Sequence, residues 1–242
     1  MQKHIPNFIT LLNLTAGILS IICVIEGWFL YACYLIMVAS VLDFFDGFFA
    51  KLLHVQSELG KHLDSFADLV SFGLAPTCLI YVFLGELQSS DIPYEMSYLK
   101  LSVICIPVCS VIRLAKFNID DSQEFEFIGL PTPANALFFS SSIASLLKMG
   151  TLYKVAVFDY YILVILIVVF SLLLVSPVRF FSLKFSNYNW DDNKVRYLFI
   201  FLSAILIVGC FLTGNPIVCL SIIILLYLFM STVKNILKKN EI

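Results

Sequence analysis

Long apolar runs alternate with short polar connectors along the whole chain. A helix crossing the hydrocarbon core of a bilayer needs about 20 mostly apolar residues. Eight stretches approach that length: roughly 8–26, 28–53, 65–85, 97–117, 133–150, 157–178, 197–213 and 215–235. Segments of about ten residues alternating apolar and polar, the mark of an outer-membrane barrel, are absent from the sequence. No internal repeat or low-complexity linker interrupts the series. The pattern therefore predicts an all-α, polytopic membrane bundle of about eight transmembrane helices, forming a single domain over 1–242. The turn at Gly214–Pro216 leaves two arrangements open for the last two stretches, a pair of full spans or a re-entrant pair. The first stretch follows Lys3 as a signal peptide would, but it lacks a small-residue cleavage site and runs on to full length, so it is read as a retained helix.

Composition agrees. Of the 242 residues 60% are hydrophobic and 13% charged, with mean hydropathy +0.96; a soluble domain holds about 45–50% apolar and about 25% charged residues. A soluble globular enzyme and a disordered chain are both excluded. The net charge of −2 offers no basic field for nucleic acid. All seven cysteines lie in apolar runs, none in a CxxC pair, which suits packing between helices better than disulfides or zinc.

Lys and Arg set the orientation. With the N-terminus in the cytoplasm, that side collects Lys3, Lys51, Lys61, Arg113, Lys116, Arg179, Lys184, Lys194, Arg196, Lys234, Lys238 and Lys239, which is 12 of 15. Lys100, Lys148 and Lys154 fall on the other side, with the acidic loop of Glu86, Asp91 and Glu95. The expectation is N-in and C-in.

Four carboxylates break the apolar pattern: Asp43, Asp46, Asp64 and Asp68. Asp43 lies about 22 Å along its helix from Trp28 at about 1.5 Å per residue, inside the cytoplasmic half of the bilayer. An ionised Asp there costs several kcal/mol unless paired, hydrated or metal-bound, and no Lys or Arg lies within one turn of Asp43 or Asp46. Asp43 and Asp46 are i,i+3 and share a helix face; Asp64 and Asp68 are i,i+4 and do the same. The connector over 53–63 is short, so the two helices are antiparallel neighbours and the carboxylate pairs face each other. All-oxygen ligation of that kind suits Mg²⁺ or Mn²⁺, and two ions would balance the charge. Gly47 and Ala50, on the same side as the Asp pair, let a ligand approach the backbone closely, and Lys51 follows one turn after Gly47 to meet phosphate. Together these residues describe a site for a diphosphate compound.

Written as a string, positions 43–68 read D-x2-D-G-x2-A-K-x8-G-x3-D-x3-D. This resembles the signature of the CDP-alcohol phosphatidyltransferases, with every spacing and seven of eight fixed positions in agreement; Lys51 stands where the family has Arg. Three further segments resemble the bacterial and archaeal phosphatidylserine synthase branch: Pro6 to Leu14 (PNFITLLNL), Ser65 to Pro76 (SFADLVSFGLAP), and Arg113 to Asn118 (RLAKFN) with Gly129 to Pro133 (GLPTP). The resemblance covers roughly the first 145 residues, which makes about 1–145 the catalytic core and 157–235 additional helices.

What the resemblance implies is transfer of a phosphatidyl group from CDP-diacylglycerol to the hydroxyl of L-serine, releasing CMP, at the cytoplasmic membrane. Asp43, Asp46, Asp64 and Asp68 would ligate the metals, and Asp68 would also act as general base. Gly47, Lys51 and Ser57 would contact the CDP moiety, beside Ala50, and Asn7 and Thr10 would line the nucleotide pocket. A homodimer follows from the same resemblance. For the acceptor, the guanidinium fork of Arg113 suits the carboxylate of serine, with Lys116 and Asn118 beyond it.

Two rival readings share these residues. A sister enzyme using glycerol 3-phosphate or an inositol compound would want extra cations beside the site. A divalent-cation transporter would want polar residues continuing across the membrane, whereas the outer halves of the second and third spans are apolar. Other conspicuous residues have plainer roles. Ser140, Ser141 and Ser142 satisfy helix carbonyls or pack between helices. His4, His54 and His62 sit in connectors, with a minor ligand role open to His62. Asp191 and Asp192 are solvated, Lys238 and Lys239 meet anionic headgroups, and Trp28, Tyr31, Tyr160 and Tyr161 anchor at the interface.

Overall fold

A computed structural model of the chain describes residues 4–55, 57–87, 94–119, 126–149, 157–181 and 189–240. Its elements are α1 (Ile5–Ile25), α2 (Phe29–Leu52), α3 (Glu58–Asp68), a π-helical turn (Leu69–Leu74), α4 (Ala75–Leu87), a 3₁₀ stretch (Tyr94–Ile104), α5 (Cys105–Ile119), β1 (Glu126–Ile128), α6 (Thr132–Lys148), α7 (Val157–Val175), β2 (Arg179–Phe181), α8 (Trp190–Leu212) and α9 (Val218–Asn240). Lys3, Asp91, Lys154 and Lys184 of the charge tally lie outside the described residues, as do the side chains of Glu95, Asp191, Asp192, Lys238 and Lys239.

Among the described residues six helices are long and apolar enough to cross a membrane: Ile5–Ile25, Phe29–Leu52, Glu58–Glu86, Tyr98–Ile119, Asn193–Leu212 and Val218–Ile236. The protein is an integral-membrane helical bundle. The expected stretches 133–150 and 157–178 form shorter rods, α6 with 17 residues and the apolar helix Tyr160–Val175. The stretch 65–85 is the inner part of a continuous rod that starts earlier, at Glu58. At Gly214, φ of 78° turns the chain between α8 and α9, each 23 residues long.

α1 shows why these runs become helices of this kind. Pro6 sits in its first turn, where a missing N–H costs nothing. Pro6, Thr10, Asn13, Gly17, Ser20 and Val24 recur every three or four residues and are buried, while Phe8, Leu11, Ile18 and Ile22 remain exposed. Small and polar residues face the bundle and large apolar ones face outward, as lipid solvent demands. Gly17 is required at the tightest crossing. A Cβ there would lie 2.7 Å from Ser71 Cα in the π-helical turn, and Ser71 Oγ donates to the Asn13 carbonyl at 3.0 Å.

A small departure from an all-helical chain ties the connectors together. β1 pairs antiparallel with β2, Glu126 opposite Phe181 and Ile128 opposite Arg179. Beside it Gly129 N–H donates to the Val178 carbonyl and Leu130 N–H to the Leu173 carbonyl, both at 2.9 Å. Gly129 has φ of 79°, and a Cβ there would come within 2.3 Å of the Leu174 carbonyl oxygen, so only glycine fits.

The C-terminal helices join the core through aromatic and hydroxyl contacts. Phe138 of α6 stacks on Phe170 of α7 at 4.2 Å. Tyr227 of α9 packs on Phe180 and Phe181 and donates its hydroxyl to the Phe181 carbonyl at 2.9 Å. The serine run behaves as expected: Ser141 bonds the Leu137 carbonyl, and Ser141 and Ser142 both meet Ser221 of α9, at 2.6 and 2.9 Å.

Candidate active site

α1 packs against both α2 and α3, and the acidic faces of those two helices converge beside it. Carboxylate oxygens of Asp43, Asp64 and Asp68 all lie within 4.8 Å of one another. Asp43 and Asp68 lie close enough to act directly on each other's charge. Asp46 stands outside that trio but acts electrostatically on all three members, and it meets the Thr10 hydroxyl from α1. Asp46 and Asp68 are 5% and 7% exposed, and Asp46 Oδ2 and Asp64 Oδ1 are buried without a hydrogen-bond partner. Hard oxygen donors clustered at this density, with lone pairs to spare, fit a hard divalent cation such as Mg²⁺ or Mn²⁺.

Local structure explains how the cluster is aimed. Ser57 caps α3, accepting from Gly60 N–H at 3.0 Å, so the helix starts at a defined residue and Asp64 and Asp68 inherit its phase. Directly after Asp68 the helix widens into the π-helical turn. Such a turn inserts one residue into the helical count and is frequent at functional sites. Here Asp68 meets both Asp43 of α2 and Asn13 of α1, and Ser71, three residues on, still meets α1. Asn13, fully buried in α1, donates from Nδ2 to Asp68 Oδ1 at 3.5 Å.

A cavity of about 290 Å³ opens beside the carboxylates. Its walls include Asp46 and Asp64 together with Asn7, Thr10, Gly47, Ala50, Lys51 and Ser57. Every residue expected to hold the CDP moiety thus lines one space. A Cβ at Gly60 would lie 3.1 Å from Ser57 Oγ and 3.3 Å from Asn7 Oδ1, so those two polar atoms converge at the glycine; at Gly47 nothing lies within 4 Å, and any side chain would project into open space. Lys61 adds a second cation to the wall. On the outer flank of α2, Phe44 and Phe48 are 67% and 48% exposed and stack on each other at 6.4 Å.

The residues expected at the acceptor divide. Arg113 and Lys116 line a second cavity of about 270 Å³ with Ile128, Leu174 and the 175–177 turn. Arg113 is 7% exposed and interacts electrostatically with Asp68 and Asp43 on one side and Tyr227 on the other. Asn118 is held elsewhere, donating from Nδ2 to Ser65 Oγ at 2.7 Å, which ties the end of α5 to α3. His62 is exposed on α3.

Sequence reasoning missed Asn13, Lys61, Tyr227 and the π-helical turn. Asn13 had a signal, because Pro6, Thr10, Asn13 and Gly17 mark one helical stripe. Lys61, between Gly60 and Asp64, was equally open to view. Tyr227 and the turn had none: a tyrosine 114 residues away from Arg113 and a change of helical pitch leave no local pattern.

Comparison with known proteins bears on the same residues. A family model described as CDP-alcohol phosphatidyltransferase matches residues 3–171. A CDP-diacylglycerol–serine O-phosphatidyltransferase of Bacillus subtilis (strain 168) is 39% identical over 133 residues, covering 54% of this chain and 71% of the relative. One of Helicobacter pylori (strain ATCC 700392 / 26695) is 28% identical over 232 residues, 95% of this chain and 90% of the relative. An archaetidylserine synthase of Methanothermobacter thermautotrophicus is 33% identical over 141 residues, 57% of this chain and 56% of the relative. The family match runs from α1 into α7 and takes in all four carboxylates and the cavity beside them; the chain belongs to the CDP-alcohol phosphatidyltransferase family.

Proposed function

We propose that this protein transfers the phosphatidyl group of CDP-diacylglycerol to the hydroxyl of L-serine, giving phosphatidylserine and CMP. Relatives that carry this activity in their names span both halves of the chain, and one covers nearly all of it. The observation that carries the reading is the convergence of Asp43, Asp64 and Asp68 beside a cavity lined by the residues expected for CDP. Asp43, Asp46, Asp64 and Asp68 would hold Mg²⁺ or Mn²⁺, two ions by the balance of charge. Bound there, the cations neutralise negative charge on the diphosphate and on the departing CMP.

The chain's own residues do the rest. Lys51 and Lys61 meet the phosphates, Ser57 and Asn7 fix the nucleotide end, and Gly47 and Ala50 let the diphosphate lie against α2. Serine oxygen attacks the lipid-bearing phosphorus, the bond from that phosphorus to the CMP oxygen breaks, and the hydroxyl proton passes to Asp68. A hydroxyl is a weak nucleophile at neutral pH, so a carboxylate base contributes about 10²–10⁴-fold. Asn13 holds Asp68 from behind. Arg113 and Lys116 receive the acceptor's carboxylate from the second cavity.

The same reading makes the chain one domain with a catalytic core over about 1–145, eight spans, both termini in the cytoplasm, the site at the cytoplasmic face of the cell membrane, and a homodimer. The clustering of Lys51, Lys61, Arg113 and Lys116 at the carboxylate end supports that orientation. The test is CMP release by purified protein given CDP-diacylglycerol and Mn²⁺ or Mg²⁺, with L-serine, glycerol 3-phosphate or myo-inositol phosphate. Serine-dependent release is expected; release with another acceptor alone would move the enzyme to a sister branch.

A further inference from the structure

The second cavity has two sides. Arg113 and Lys116 of α5 make one, and Ile128 of β1 with the chain from Leu174 to Pro177 makes the other. That second side is short, irregular backbone, and β2 begins directly beyond it at Arg179. Ile128 lies opposite Arg179 in the two-stranded sheet, and Gly129 N–H donates to the Val178 carbonyl at 2.9 Å. Bonded and non-bonded pairs alternate along an antiparallel ladder, so the carbonyls of Arg179 and Phe181 point away from β1. An edge of that kind presents backbone groups that the sheet itself leaves unpaired.

Helix α9 takes up that edge. Asn235 donates from Nδ2 to the Arg179 carbonyl at 2.7 Å, and the Tyr227 hydroxyl donates to the Phe181 carbonyl at 2.9 Å. The Tyr227 ring packs on Phe180, Phe181 and Phe199, with centroids 5.8, 4.9 and 5.9 Å away. Tyr227 also lies within electrostatic reach of Arg113. Arg113 is buried and its Nε makes no hydrogen bond, so the packing around it, more than a bond at Nε, fixes the guanidinium.

Resting on the activity proposed above, in which Arg113 and Lys116 receive the acceptor's carboxylate, we propose that Tyr227 and Asn235 are positioning residues for that acceptor. Neither lines the cavity. By fastening the edge of β2 they hold Ile128 and the 174–177 turn opposite the two cations, and so set the width of the space. α9 then belongs to the acceptor machinery although these two side chains touch no substrate. A wall held at one width discriminates by size: an acceptor longer by one methylene is disfavoured roughly 10–200-fold, and a loosened wall yields to it.

The experiment follows CMP release by the full-length protein in detergent with CDP-diacylglycerol, Mn²⁺ and either L-serine or L-homoserine, which is one methylene longer. Tyr227→Phe keeps the ring and loses only the donor. Its serine KM rises roughly three- to tenfold while the KM for CDP-diacylglycerol stays put, and the preference for serine over homoserine narrows, which a merely destabilised helix would not cause. Asn235→Asp keeps its shape but cannot donate, and it shifts both readouts the same way by a smaller factor. Ser221→Ala, on the same helix but bonded to α6, leaves them unchanged. An unaltered serine KM and preference in folded Tyr227→Phe overturns the inference while leaving serine as the acceptor, and so does an equal rise in both KM values. Wild-type release with glycerol 3-phosphate alone overturns the acceptor reading and this inference with it. If Tyr227→Phe fails to fold, Asn235→Asp decides by the same two readouts.

Discussion

The first three helices and the last three treat buried polarity in different ways. In α1–α3 polar side chains converge on one another: three carboxylates within 4.8 Å, Thr10 against Asp46, Asn13 against Asp68, Ser71 against the Asn13 carbonyl. In α7–α9 they serve attachment. Ser221 joins α6, Asn215 donates to Ser145 at 2.6 Å, and Tyr227 and Asn235 fasten the backbone of β2. The first arrangement concentrates charge that the fold alone cannot balance, whereas the contacts of the second join neutral hydroxyls, carboxamides and carbonyls. The difference teaches where to look for chemistry in a membrane bundle: at polar groups the protein gathers but does not neutralise.

Variants can break or sharpen that contrast. The largest effect is expected at the carboxylates. Asp68→Asn removes the base and should lower serine-dependent CMP release by about 10²–10⁴-fold without lowering the thermal midpoint in detergent, and EDTA should abolish release in the wild type until Mg²⁺ or Mn²⁺ is restored. Next comes Gly47→Leu. Nothing lies within 4 Å of a Cβ there, so the protein should fold normally while the side chain fills the cavity and the KM for CDP-diacylglycerol rises roughly tenfold or more. A normal KM would remove Gly47 from the binding wall.

Gly17→Val tests the crossing of α1 over the π-helical turn. Its Cβ would meet Ser71 Cα at 2.7 Å, and overpacking of this kind costs about 1–3 kcal/mol, seen as a lower midpoint and, through Asn13 and Asp68, reduced activity. Lys51→Arg replaces a point charge with a bidentate fork and should lower the KM for CDP-diacylglycerol by about two- to fivefold. Ser221→Ala is the smallest. Interhelical hydrogen bonds within membranes average about 0.6 kcal/mol, so stability should shift slightly and activity stay within about twofold. A large loss of activity in Ser221→Ala would dissolve the distinction between the two regions.

Much of the site was legible because its residues act through spacing. Asp43 to Asp46 and Asp64 to Asp68 are short helical intervals that put each pair on one face, but the expected direct packing of α2 on α3 gives way to α1, which packs against both and brings the two pairs together. The bundle was legible for a similar reason, since apolar runs of spanning length have few other uses. The rest depends on contacts that sequence does not order. Tyr227 of α9 meets Phe180 and Phe181 of β2 across 46 residues of sequence, a pairing that no local pattern announces. The short sheet was invisible because its three-residue strands flank a glycine chosen for tightness and not for alternation. Asn118 carried a polar side chain near the right end of α5, but helix phase turned it toward Ser65.

The stacked, outward-facing Phe44 and Phe48 bear on kinetics. They put exposed apolar surface on the stretch of α2 whose Asp46 and Gly47 wall the cavity, so under the proposed activity the donor's acyl chains would lie against them and the donor would engage without leaving its leaflet. The concentration that governs the rate is then the donor's mole fraction in the membrane, a two-dimensional quantity. Diluting the enzyme and its vesicles together in buffer would leave turnover of the lipid unchanged, whereas diluting CDP-diacylglycerol with inert phospholipid at constant bulk concentration would slow it. Serine, arriving from water, would obey the opposite rule, which couples a surface titration to a bulk one in a single catalytic cycle.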